Sequence, residues 1–87
     1  MNPIRIFLVE DDPDWIKAMT VFLNGQEDML VAGAAQTPEQ AAAMARVLSF
    51  DVVLMDIQLT PGQLDGIYVA ADILELRPQA KVIMLTS

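Results

Sequence analysis

The sequence predicts one α/β domain: a parallel sheet with helices on both faces, in the order β-α-β-α-β-α-β. Short apolar runs alternate with segments of helical periodicity. The connections between them are too short for anything but crossovers that lay each helix back on the sheet, right-handed by default. Eighty-seven residues hold one small domain, and the sequence shows no repeat, low-complexity tract or linker.

Ile4–Val9 is an apolar run that reads as a strand buried on both faces. Asp12-Pro13-Asp14 then starts a helix, with proline in its first turn. Trp15, Ile16, Met19, Phe22 and Leu23 recur on one side of it, and Gly25 ends it. Met29–Ala35 is the second apolar run. Thr37-Pro38-Glu39-Gln40 opens the next helix with a capping-box pattern, and Ala41, Met44, Ala45 and Leu48 form its apolar side. Val52–Met55 is a third strand that ends on Asp56. Ile57–Gly66, with Pro61, Gly62 and Gly66, is a loop. Ile67–Arg77 is a helix with Ile67, Ala70, Ala71, Ile73 and Leu74 on its apolar side. Pro78 stops it, and Lys81–Thr86 is a fourth strand.

Composition excludes several function classes. A net charge of −7 with five basic residues argues against this segment gripping nucleic acid directly. Histidine and cysteine are both absent, which removes the commonest general base, zinc sites built on them, and disulfides. No apolar run reaches a membrane span, and MNPIRIFLVEDD lacks the form of a secretory signal. A cytoplasmic location is the expectation. Chemistry must run on carboxylates, hydroxyls and backbone.

Ligands of open parallel sheets bind beyond the carboxyl ends of the strands. Strand 1 delivers Glu10, Asp11 and Asp12 there, strand 3 delivers Asp56, and strand 4 delivers Thr86 and Ser87. If strands 1 and 3 are neighbours, several carboxylates converge and repel unless a cation neutralises them. Oxygen donors of this kind suit Mg²⁺. A carboxylate among them can act as a nucleophile toward phosphorus, with Thr86 placed to hydrogen-bond the product. Each residue also has a plainer reading. Asp12 and Asp14 are helix-start residues, Asp65-Gly66 is a turn before a helix, Thr86 is a strand residue, and Trp15 and the methionines pack. Only the combination is specific.

LVEDD, LMDIQLTPGQLDG and VIMLTS, in that order across the whole chain, resemble the receiver domain of two-component response regulators. The resemblance implies a flavodoxin-like sheet of strand order 2-1-3-4 and a signalling domain rather than an enzyme. It implies Asp56 as the phosphoacceptor for a sensor histidine kinase and Glu10 and Asp11 as the Mg²⁺ pair. The backbone carbonyl of Gln58 becomes a further ligand, and Thr86 the switch hydroxyl. It also implies an output domain outside these residues, with DNA binding and transcription the commonest case. Two departures accompany it. The Asp56–Gly66 loop is two residues longer than the usual form, and the family's fifth strand, lysine, switch aromatic and last helices have no counterpart here. The expectation is therefore the N-terminal part of a receiver over residues 1–87, with strand 4 left as an open edge that invites dimerisation or aggregation. Other readings are a flavin binder, which the acidic loop EDDPD opposes, and a phosphatase using Asp12 and Asp14. A pseudo-receiver that serves as an interaction module is the remaining alternative.

Overall fold

The computed structural model describes residues 2–86; Ser87, named above with Thr86, lies outside them. The elements are β1 (Ile4–Val9), α1 (Pro13–Asn24), β2 (Met29–Ala35), α2 (Pro38–Val47), β3 (Val52–Asp56), α3 (Asp65–Leu76) and β4 (Lys81–Leu85). All strands pair in parallel, in the order β2-β1-β3-β4. The alternation in the sequence thus reads out as the expected sheet.

β1 is central, so its side chains bury on both faces. Phe7 and Val9 join a cluster with Val53, Met55, Ala41, Ala45, Val69, Ala70 and Ile73, which is the face covered by α2 and α3. Ile6 and Leu8 join Leu23, Trp15, Ile16 and Met19 on the face covered by α1. Phe7 and Phe50 meet with ring centroids 5.4 Å apart at 47°, a tilted aromatic pair. At the amino ends of the strands, Arg5 binds Asp51 through both guanidinium and backbone N–H, which ties β1 to the start of β3.

The helix starts follow their signals. Asp12 Oδ1 accepts from the N–H of Asp14 at 2.9 Å, and Thr37 Oγ1 accepts from that of Gln40 at 3.1 Å. Gln40 Oε1 reaches back one residue past the cap, to the N–H of Gln36 at 2.9 Å. α1 stops at Gly25 in a right-handed conformation (φ −76°), without the left-handed turn that glycine often supplies.

Four expectations need correction. Phe22 is 63% exposed: the contact of α1 with the sheet is made by Trp15, Ile16, Met19 and Leu23. α3 begins at Asp65 rather than Ile67, because Gly66 already fits its first turn. Its buried side is Gly66, Val69, Ala70 and Ile73, whereas Ile67, Ala71 and Leu74 face solvent. β4 ends at Leu85, leaving Thr86 just beyond the ladder.

Candidate functional site

Because β1 and β3 are parallel neighbours with Val9 opposite Met55, the residues that follow, Glu10 and Asp56, emerge side by side at the carboxyl rim. The N–H of Glu10 still bonds the carbonyl of Ala35 at 3.0 Å, so β2 holds the strand end in line. One oxygen from each of Glu10, Asp11 and Asp56 lies within 4.8 Å of the others. Asp12 is turned away to cap α1, and Asp14 lies in the first turn of that helix.

Three carboxylates this close are unfavourable without compensation. Glu10 shows it: its carboxyl is raised from 4.5 to about 7. Burial is the largest cause, followed by a hydrogen bond to Asp56 and the charges of Asp56, Asp11 and Asp12. The Asp56 carboxylate is partly restrained, with Oδ1 accepting from the backbone N–H of Gln58 at 3.0 Å. The donor set fits Mg²⁺. Octahedral metal–oxygen bonds of about 2.1 Å place oxygens roughly 3.0–4.2 Å apart, so the 4.8 Å cluster needs only a small contraction.

Thr86 follows Leu85, the register partner of Asp56, and so stands exposed at the same rim. The N–H of Ile57 donates to the carbonyl of Leu85 at 3.1 Å, continuing the β3–β4 ladder past Asp56. Gln58 is exposed beside Asp56, with its N–H committed to that carboxylate.

Sequence reasoning missed the part played by Asp65-Gly66. The N–H of Gly66 bonds the carbonyl of Ile57 at 2.9 Å. A Cβ at Gly66 would lie 1.8 Å from the carbonyl oxygen of Asp56 itself. Asp65 Oδ1 accepts from Leu59 N–H at 2.8 Å and Thr60 N–H at 3.2 Å, organising a loop in which Gly62 takes a left-handed turn (φ 79°). The available signal was the D-G pair after a long loop, which also fits an ordinary turn.

The family model described as the response regulator receiver domain matches residues 6–87. The chain belongs to that family. This receiver domain is 34% identical over 86 residues to the uncharacterized transcriptional regulatory protein YxjL of Bacillus subtilis, covering 99% of this chain and 38% of that protein. It is 31% identical to the protein-glutamate methylesterase/protein-glutamine glutaminase of Nitrosomonas europaea, over 99% of this chain and 24% of the relative. The receiver therefore spans well under half the length of either. The crystal structure of the response regulator domain of Thermotoga maritima CheB superimposes with a TM-score of 0.86 at 31% identity, covering 99% of this chain and 62% of that one. The fold is the CheY-like, flavodoxin-like one, and the receiver is a signalling domain of two-component systems. Among the described residues no helix is long and apolar enough to cross a membrane.

Proposed function

We propose that this receiver accepts a phosphoryl group on Asp56 and passes the event to an output domain elsewhere in the protein. The observation that supports this reading is the convergence of Glu10, Asp11 and Asp56 at the rim of two adjacent strands. An oxygen of Asp56 attacks phosphorus, the P–N bond of a kinase phosphohistidine breaks, and the imidazole leaves with the electron pair. Glu10 and Asp11, with Asp56 and the carbonyl of Gln58, would hold Mg²⁺, which when bound would supply charge neutralisation of the cluster and the phosphoryl oxygens. Thr86 hydrogen-bonds the acquired phosphoryl group and so reports it.

The partners on this reading are a sensor histidine kinase and an output domain. The name of YxjL supports a transcriptional output, and the names of the methylesterase relatives support other outputs as well. On this reading the protein is cytoplasmic and works where kinases present phosphohistidine. The acidic surface leaves nucleic-acid contact to other parts of the protein.

The test is incubation of the intact protein with a small phosphodonor and Mg²⁺, followed by mass spectrometry of peptides. One phosphoryl group is expected, on Asp56. Asp56→Asn abolishes it, because an amide oxygen is too poor a nucleophile. Undiminished labelling of that variant overturns the assignment. An unlabelled wild-type protein that still binds its partner favours the interaction-module alternative.

A further inference from the structure

Asp65 lies outside the acidic cluster, yet its carboxylate is aimed at the loop that leaves Asp56. It is the first residue of α3, behind an N-cap at Leu64 that makes no side-chain capping bond. Oδ1 turns back to take the N–H groups of Leu59 at 2.8 Å and Thr60 at 3.2 Å. An ordinary helix-start aspartate bonds the free N–H groups of its own helix; this one takes its own N–H but turns Oδ1 mainly to the loop. The side chain of Leu59, 4% exposed, is sunk in the core cluster, so the peptide held by Asp65 is anchored from the other side as well. One residue back, the N–H of Gln58 donates to Asp56 Oδ1 at 3.0 Å. On the far side of Asp65, Gly66 N–H bonds Ile57 at 2.9 Å. The loop from Ile57 to Thr60 is thus gripped at both ends by Asp65 and its neighbour. Burial alone would raise the Asp65 carboxyl, but hydrogen bonds from Thr60, Leu59 and its own N–H hold it below its ordinary value.

We infer that Asp65 is a positioning residue for Asp56: by holding the N–H groups of Leu59 and Thr60 it fixes the Gln58 peptide, whose N–H in turn restrains the Asp56 carboxylate. The inference rests on the reading of Asp56 as phosphoacceptor and of the cluster as a metal site. Without the Asp65 acceptor, the Leu59 and Thr60 N–H groups lose their partner and the loop relaxes. The Gln58 peptide then drifts, and the Asp56 carboxylate loses its fixed orientation toward Glu10 and Asp11. A partner bonded directly to a metal ligand is worth about 10-fold or more in affinity; Asp65 acts one peptide further out, so about 10-fold is the upper bound on its effect.

The experiment compares wild type, Asp65→Ala, Asp65→Ser and Asp65→Asn in the intact protein. Mn²⁺ affinity is read by tryptophan fluorescence or paramagnetic NMR, and phosphodonor labelling of Asp56 is read as a maximal labelling rate constant and, separately, the donor concentration that gives half of it. Asp65→Ala is expected to weaken Mn²⁺ by up to about 10-fold and to lower the maximal labelling rate constant. Asp65→Asn, which keeps an acceptor oxygen at the same reach, restores most of both, and Asp65→Ser, too short for both N–H groups, falls between. If Asp65→Ala does not fold, Ser against Asn carries the comparison. Wild-type metal affinity and labelling rate constant in the folded Ala or Ser variants overturn the inference, as does an Asn variant as impaired as Ala. Labelling that is absent even in wild type sinks the phosphoacceptor reading instead, and the Mn²⁺ series still decides the positioning role.

Discussion

Gly66→Ala is the sharpest perturbation that the structure offers, because two effects of opposite sign act on one methyl group. In the first turn of a helix, alanine is favoured over glycine by about 1 kcal/mol. Against this, the added Cβ would lie 1.8 Å from the carbonyl oxygen of Asp56 and 2.8 Å from both its carbonyl carbon and the oxygen of Ile57. These are backbone atoms of β3 and its continuation, so no rotamer change removes the overlap. The start of α3 must retreat by about 1.5 Å to restore ordinary contact, and a gap of even half that size forfeits much of the packing of the atoms it separates. Val69, Ala70 and Ile73 face the core from this helix and would lift with it. Overpacking of this kind costs about 2–3 kcal/mol, and losing the Gly66–Ile57 hydrogen bond adds about 1 kcal/mol. The net expectation is a loss of about 2–3 kcal/mol after the helix-propensity gain. Urea denaturation of wild type and variant measures it, as a lowered midpoint with unchanged slope. Because the clash falls on Asp56 itself, Mg²⁺-induced NMR shifts at Asp11 and Asp56 should weaken in the same variant. A Gly66→Ala protein as stable as wild type would mean that α3 does not approach β3 as described.

On α1, Leu23→Ala should cost about 2–4 kcal/mol and Phe22→Ala less than about 1 kcal/mol, by the same denaturation assay, since Leu23 is buried and Phe22 faces solvent. Without metal, the Glu10 carboxyl titrates at about 7 in the folded chain, above its ordinary 4.5. A raised folded-state value means stability present below the unfolded value and lost as pH rises through the folded one, so apo stability should fall from about pH 4.5 to about pH 7 on this account. Because Glu10 is only partly buried, solvent screening holds the amplitude to about 1 kcal/mol. Mg²⁺ should cancel the fall and bind more tightly across the same window, and Glu10→Gln should remove this component. The 87-residue chain should also self-associate in sedimentation velocity as its concentration rises. β4 pairs only with β3 among the described residues, and Ile83 is 50% exposed. Ile83→Lys should reduce the association; concentration-independent sedimentation of wild type would refute the edge argument.

Much of the site was legible because the rim of a parallel sheet is a consequence of chain order. Once the runs at Ile4–Val9 and Val52–Met55 are strands joined by helical crossovers, the residues after them must emerge at the same end. Glu10, Asp11 and Asp56 accordingly meet within 4.8 Å. The helix starts at Asp12 and Thr37 were equally legible, since a cap is a local bond between residues two or three apart.

What the sequence by itself determined is therefore what depends on period and neighbours: the strands, the order of elements, the caps, and which carboxylates share a rim. Tertiary structure alone decided which of two apolar stripes on α3 goes inward. Gly66, Val69, Ala70 and Ile73 are buried, while Ile67 and Tyr68 on the other side are 48% and 74% exposed. Hydropathy cannot choose between two apolar sides of one helix. The choice was made by Gly66, because only a residue without a Cβ lets the helix rest on the carbonyl of Asp56. The role of Asp65 was hidden for the same reason. Its partners Leu59 and Thr60 come within reach only when that helix docks and closes the loop back on itself.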